Sequence, residues 1–254
     1  MLEINEIFGP TIQGEGKLVG NLSIFIRFGK CNFKCVGFNV FYETPSGKKK
    51  CACDSYYAVD MEFKDSWRSY ENHLEIIHEV DKLLENYSYK NRVDIVITGG
   101  EPLLYWNNKE FQNLIKYYIE KNHKLTIETN ASLNIDFKEE YQKNILFSMS
   151  VKLSNSLEPL KKRVNKTTLT KILENTKESY LKFVIGDDFL ENAISEIEDI
   201  LKDIPKSEVY LMPLGDSSKT IDTNSEKVVN LAIKHGFKYS DRLHIRIWNN
   251  KRGV

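Results

Sequence analysis

Short apolar, β-branched runs alternate with stretches of helical spacing along most of the chain. No other feature restricts the fold as much. The runs cover residues 22–28, 93–98, 124–128, 145–151, 180–185 and 209–212, and most are bounded by Gly, Asn or Ser, as strands should be. A seventh run, 243–248, lies near the end. Between them Leu74, Ile77, Val80, Leu83 and Leu84 form one apolar helix face. Phe111, Leu114, Ile115, Tyr118 and Ile119 form a second, Ile194, Ile197, Ile200 and Leu201 a third, and Val228, Leu231 and Ala232 a fourth. Such alternation predicts right-handed βαβ units around a parallel sheet. Six main runs are too few for a closed eight-stranded barrel. The expectation is therefore an α/β fold with a partial, open parallel β/α barrel of about six strands. A doubly wound sheet is the competitor, and both place ligands at the C-terminal ends of the strands.

The 254 residues suffice for one large α/β domain, the reading adopted for 1–254, although length alone also permits two small ones. Residues 36–66 form the one long stretch without clear periodicity, with a turn at Thr44-Pro45-Ser46-Gly47, and read as an extended, functional loop insertion. Lys and Arg balance Asp and Glu at 36 each, so nothing in the overall charge points to nucleic acid or membrane partners. There is no run of 18 apolar residues, and the first ten lack the basic and apolar regions of a secretory signal. The expectation is a cytoplasmic protein. All 4 cysteines lie between positions 31 and 53, and in a reducing compartment such clustering suggests metal ligands or catalytic groups rather than disulfides.

Polar residues gather where strands end. The first run delivers Cys31 directly and the second ends Thr98-Gly99-Gly100-Glu101-Pro102; the third ends Glu128-Thr129-Asn130 and the fourth Ser150-Val151-Lys152. Cys31 and Cys35, with three residues between them, can reach one cluster or one metal ion from a single loop, and incidental thiols or a zinc site are the blander readings. Phe38 stands where a third cysteine of a C-x3-C-x2-C pattern would fall; Cys51 and Cys53 come only later. Adjacent Gly99 and Gly100 let backbone approach a ligand and offer it N–H donors, or simply serve a strand-to-helix turn.

Taken together, the cysteine loop after the first run and the Gly-Gly-Glu-Pro after the second resemble the radical S-adenosylmethionine (SAM) enzymes. Four stretches narrow the resemblance to the 7-carboxy-7-deazaguanine synthase family: Phe8 to Gly16 with Ile12-Gln13-Gly14-Glu15 at its heart, Ile24 to Cys35, Leu181 to Gly186, and Arg242 to Trp248 with Arg252-Gly253-Val254. The resemblance runs from residue 8 to the last residue.

What the resemblance implies is specific. A [4Fe–4S] cluster would be held by Cys31, Cys35 and Cys53, with the fourth iron left for SAM. Cys53-Asp54-Ser55 resembles the family's Cys-Asp-Thr, so Ser55 would supply a hydroxyl to Mg²⁺, with Cys51 the competing thiol. Gly99, Gly100, Glu101, Glu128, Ser150, Val151 and Lys152 would contact SAM. For Glu128 a solvated loop carboxylate is the bland alternative. The implied substrate is a carboxylated tetrahydropterin. Ile12, Gln13, Gly14, Glu15, Thr98, His244 and Val254 would surround it, and the Arg27 guanidinium suits its carboxylate. The implied reaction is radical ring contraction of 6-carboxy-5,6,7,8-tetrahydropterin to 7-carboxy-7-deazaguanine with loss of ammonia, in queuosine and deazapurine biosynthesis. A flavodoxin- or ferredoxin-type electron donor and a homodimer come with the family. Lys48-Lys49-Lys50 is a solvated turn or a docking site for that donor. The rivals are a glycyl-radical activase and a non-catalytic zinc-binding module.

Overall fold

A computed structural model describes residues 1–89 and 92–254. The strands are β1 (Leu2–Ile12), β2 (Leu22–Phe28), β3 (Val40–Glu43), β4 (Lys49–Ala52), β5 (Arg68–Tyr70), β6 (Asp94–Gly99), β7 (Leu125–Thr129), β8 (Leu146–Ser150), β9 (Tyr180–Ile185), β10 (Val209–Pro213) and β11 (Lys238–Tyr239). The helices are α1 (Tyr56–Val59), α2 (His73–Leu84), α3 (Lys109–Glu120), α4 (Leu160–Arg163), α5 (Lys166–Asn175), α6 (Leu190–Leu201), α7 (Ser218–His235) and α8 (Leu243–Trp248).

Among the described residues one nine-stranded sheet runs β11-β10-β9-β8-β7-β6-β2-β1-β5. From β2 through β6, β7, β8, β9 and β10 every pairing is parallel, which gives the six strands of a partial barrel. β1 pairs antiparallel with β2 and extends the sheet beyond that set. Period-2 alternation sorts the side chains. Ile24, Ile26 and Phe28 of β2, Ile95 and Ile97 of β6, Leu125 and Ile127 of β7, Phe147 and Met149 of β8, and Leu181, Phe183 and Ile185 of β9 share one apolar core. That core is closed by Ile76, Ile77 and Val80 of α2, Phe111, Leu114 and Ile115 of α3, Leu169 and Ile172 of α5, and Ile194 and Ile197 of α6. The opposite face turns inward and is polar at its upper end, where register sets Arg27 beside Thr98, Glu128 beside Ser148, and Ser150 beside Lys182. Leu146, Tyr180, Tyr210 and Leu18 form a second apolar cluster toward the N-terminal ends of β8, β9 and β10, opposite the polar end.

Two expectations fail locally. Residues 243–248 form helix α8 rather than a strand. Leu243, Ile245 and Ile247 alternate as a strand would, yet only Ile245 is buried and Ile247 lies in solvent. The arginines decide: Arg246 pairs with both Asp241 and Asp222, and Arg242 points into the barrel. β1, in turn, escapes a period-2 reading because register shifts between Ile4 and Glu6, and between Phe8 and Thr11, break its alternation, and Pro10 sits in the second irregularity. The 36–66 segment contains the β3–β4 hairpin, closed by the expected turn, in which Gly47 N–H donates to the Thr44 carbonyl at 2.8 Å. No helix among the described residues is long and apolar enough to cross a membrane.

Candidate active site

The mouth of the barrel holds a cavity of about 450 Å³, lined from both the strand ends and the loops that follow them. Of the sequence-predicted residues, Cys31, Cys35, Cys53, Ser55, Ile12, Gln13, Gly14, Glu15, Arg27, Thr98, Gly99, Gly100, Glu128, Ser150, Lys152, His244 and Val254 all line it. Glu101 and Val151 do not. Val151 belongs to the apolar core outside the barrel. Glu101 is fully buried and acts as a brace, its carboxylate accepting from Thr129 Oγ1 at 2.6 Å, Asn130 N at 2.7 Å and Leu103 N at 2.9 Å.

The cysteine loop leaves β2 in an unusual conformation, with Lys30 at φ 72° and Cys35 at φ 50°. Outside groups hold it there. Glu158 accepts from the backbone N–H of Lys34 at 2.6 Å and of Cys35 at 3.0 Å. Asn32 accepts from Asn130 Nδ2 at 2.9 Å and donates to Ser132 Oγ at 2.8 Å. Gly100 packs against the loop so closely that a Cβ there would overlap the Lys30 carbonyl and touch Cys31 Cβ at 3.0 Å. The β3–β4 hairpin then returns Cys53 to the same cavity. Cys51, two residues earlier in β4, lies outside the lining; its thiol donates to the Val36 carbonyl at 3.3 Å.

Burial pushes the Cys31 thiol well up, with the charges of Glu101, Cys53 and Cys35 adding to the rise. Burial likewise pushes Cys35 up to about 11 and Cys53 up to about 12. Cys31 senses the charges of both Cys53 and Cys35, and Cys53 senses Cys35, and binding a cationic centre would release their protons. Among the described residues no three His, Cys, Asp or Glu side chains converge as a single-ion site. A four-iron cluster does not require that convergence, because each thiolate binds its own iron. Three free thiols lining one cavity together with Gly99 and Gly100 fit such a cluster.

The rest of the cavity is a charge network that the residue-by-residue reading only partly anticipated. Gln13, 4% exposed, donates through Nε2 to Glu128 Oε1 at 3.1 Å, and Thr98 Oγ1 donates to Glu128 Oε2 at 2.7 Å. Glu128 is thus a fixed acceptor on β7, not a solvated loop carboxylate. Glu15 pairs with Lys182 Nζ at 2.5 Å and with Arg242 Nε at 2.9 Å. Arg242 also reaches Asp54 Oδ2 through Nη2 at 2.5 Å. Burial alone would raise the Glu15 carboxyl, but Lys182 and Arg242 hold it well below the usual range. Burial would also raise Asp54, and Arg242 keeps it low. A Cβ on Gly14 would overlap the His244 imidazole, which is why the loop before β2 carries glycine there. Arg27 lies between the rings of Phe8 and Tyr57, 5.8 Å from each centroid, and Arg252 stacks over Tyr57 at 3.6 Å. Sequence reasoning assigned no role to Lys182, Arg242, Asp54, Glu6 or Arg252. For Lys182 a signal existed: it is a cation at the centre of an apolar strand, the same feature that singled out Arg27. Of the lysines at 48–50, Lys50 pairs with Asp60 and Glu62 at 2.8 Å each and Lys48 reaches Glu62 at 3.5 Å.

The comparisons with known proteins agree with this geometry. The chain is 29% identical over 272 aligned residues to a 7-carboxy-7-deazaguanine synthase of Halobacterium salinarum, covering 98% of this chain and 91% of that protein. It is 28% identical to the 7-carboxy-7-deazaguanine synthase of Bacillus cereus, covering 100% of this chain and 99% of that one. Its fold resembles the crystal structure of QueE from Escherichia coli, with a TM-score of 0.59 and 20% identity over 96% of this chain and 94% of that one. The model of the 4Fe-4S single cluster domain matches residues 12–173, which include all the cysteines, and the chain belongs to that family.

Proposed function

We propose that the protein is a radical SAM enzyme that contracts the ring of 6-carboxy-5,6,7,8-tetrahydropterin to 7-carboxy-7-deazaguanine with loss of ammonia. One observation carries this reading: three thiols, a glycine cradle at a strand end, an arginine whose fork end takes no protein acceptor among the described residues, and the held carboxylates Glu15 and Glu128 line one cavity. A volume of about 450 Å³ suits small molecules. Residues 249–254 border the cavity too, so it is shaped for a small substrate rather than for the protein loop that an activase admits.

When bound, the cluster and SAM supply the one-electron chemistry that opens the reaction by hydrogen-atom abstraction. The chain itself binds and orients. Cys31, Cys35 and Cys53 would hold the cluster, and Gly99, Gly100, Ser150, Lys152 and Glu128 would hold SAM. Arg27 takes the substrate carboxylate, and Gln13, Glu15 and Thr98 meet the pterin ring. Ser55 would offer a hydroxyl oxygen to Mg²⁺, a hard donor of the kind that ion takes. The apolar walls of Phe25, Phe33 and Phe38 keep water from a radical. A flavodoxin- or ferredoxin-type donor and a homodimeric assembly belong to the same proposal and rest on the family resemblance.

The test is anaerobic reconstitution with iron and sulfide, followed by incubation with SAM, Mg²⁺, a reductant and the carboxytetrahydropterin. 7-Carboxy-7-deazaguanine, identified by mass, is expected. Tight zinc binding without iron uptake would overturn the reading, as would 5′-deoxyadenosine release with no deazaguanine product.

A further inference from the structure

Lys182 is 3% exposed in the middle of β9, between Leu181 and Phe183, which are wholly buried in the core on the other face. A buried ion pair rarely repays its desolvation, and apolar residues of similar volume serve stability as well or better. Lys182 therefore calls for another reason. Its partner is Glu15, on the loop before β2, far away in sequence. Lys182 takes one oxygen of that carboxylate and Arg242 takes the other. Each carboxylate oxygen offers two acceptor positions, so one on each oxygen is left for the cavity that Glu15 lines.

We propose that Lys182 is a specificity-determining positioning residue: by fixing Glu15 as a two-oxygen acceptor, it makes the cavity select a ring edge with two adjacent N–H donors. A 2-amino-4-oxo pterin has that edge, in its 2-amino group and N3–H. A 2,4-dioxo ring, otherwise the same, puts a carbonyl oxygen against the carboxylate. This rests on the function proposed above and adds to it the group that sets the ring choice. With Lys182 neutralised, Arg242 still holds one oxygen of Glu15, but the other loses its fixed donor and can take up a proton and donate to that carbonyl, so the preference disappears.

The experiment is fluorescence titration of the reconstituted protein with 6-carboxypterin and with 6-carboxylumazine at pH 7. It requires no turnover. The wild type is expected to prefer the pterin by about ten-fold or more, since a site built for a donor rejects an analogue that lacks it. Lys182→Met is expected to bring the ratio below about three-fold, and Lys182→Arg to preserve it. Equal weakening of both ligands in Lys182→Met, with the ratio kept, would make Lys182 merely structural and overturn the inference. If the wild type binds neither ligand, the proposed substrate itself falls and the inference with it. Should Lys182→Met not fold, Lys182→Met/Glu15→Gln removes both members of the pair. Its ratio should equal that of Glu15→Gln alone, because Lys182 acts through Glu15. Any further shift in the double variant would overturn the proposal.

Discussion

Glu6 and Arg27 face each other in register on the antiparallel strands β1 and β2, and Glu6 Oε1 accepts from Arg27 Nε at 2.8 Å. The bond fixes the guanidinium from its stem side. Among the described residues no protein acceptor takes Nη1 or Nη2, so the two-pronged end of the fork remains for a carboxylate in the cavity. Arg27→Lys keeps the charge but loses the fork. KM for the carboxytetrahydropterin is expected to rise about ten- to a hundred-fold with a smaller change in kcat. Glu6→Gln, which keeps the orienting bond in weaker form, should show a smaller rise. Steady-state kinetics checks both, and an unaltered KM in Arg27→Lys would remove it from substrate binding.

Cys53 shares the cavity with Cys31 and Cys35, while Cys51 points to the Val36 carbonyl. Cys53→Ala is expected to lose most of the iron taken up on reconstitution, together with the broad visible absorbance of the cluster. Cys51→Ala should retain both. Iron and sulfide analysis of the two variants side by side decides the assignment, and the reverse outcome would transfer it to Cys51.

The strand and helix pattern was legible because one face of each parallel strand packs against helices, so the core reads directly as apolar periodicity: the 180–185 run coincides with β9 residue for residue. Legibility stopped where tertiary ion pairs decide conformation. At 243–248 the apolar alternation is genuine, but Arg242 must reach Glu15 and Asp54, neither of them near it in the chain. No local signal carries that requirement. The site was legible where a residue type is conspicuous in its setting, as with clustered cysteines or an arginine in a strand. Lys182 satisfies the same rule. Glu101 shows the opposite limit: its neighbours Gly99 and Gly100 line the cavity, yet its own carboxylate faces Thr129 and Asn130 inside the fold.

Arg252 closes one side of the cavity. Its guanidinium stacks on Tyr57 and reaches Glu6 Oε2 at 3.5 Å, which ties the last residues of the chain to the strand that positions Arg27. Cation–π and exposed ion-pair contacts of this kind are each worth about 0.5–1 kcal/mol. Arg252→Ala is therefore expected to raise KM for the substrate about three- to ten-fold and leave Tm nearly unchanged. A drop in Tm with unaltered KM would make the contact structural instead.

Ser55 Oγ lies 3.5 Å from Asp54 Oδ1, at the point where the cysteine loop passes into α1, and Arg242 occupies the other oxygen of Asp54. The Ser55 hydroxyl lines the cavity beside the Asp54 oxygen that Arg242 does not take, and such a hard oxygen is a donor suited to Mg²⁺. Ser55→Ala should raise the Mg²⁺ concentration needed for half-maximal turnover by about ten-fold or more, while Ser55→Thr restores it. Equal Mg²⁺ dependence in the wild type and Ser55→Ala would exclude the residue from the metal site.

His244 gives the fold a pH signature. Burial lowers its imidazole to about 4, against the opposing pull of Glu15, so the folded protein holds it neutral where an unfolded chain would already be taking up a proton. The unfolded side chain titrates near 6.5. Between about pH 6.5 and 4 the unfolded state binds the extra proton, so stability falls as pH falls through that window. Above 6.5 neither state is protonated and the contribution is constant. Thermal unfolding of the cluster-free protein should therefore show Tm decreasing from pH 6.5 to 4.5 by about 2–6 °C more in the wild type than in His244→Gln, with parallel curves above pH 7. The carboxylates Glu15, held low by Lys182 and Arg242, and Asp54, held low by Arg242, add their own losses from about pH 5 downward. They are common to both proteins, so the difference between wild type and His244→Gln isolates the histidine. Identical slopes in the two proteins there would mean that His244 reaches solvent freely and does not line a closed site.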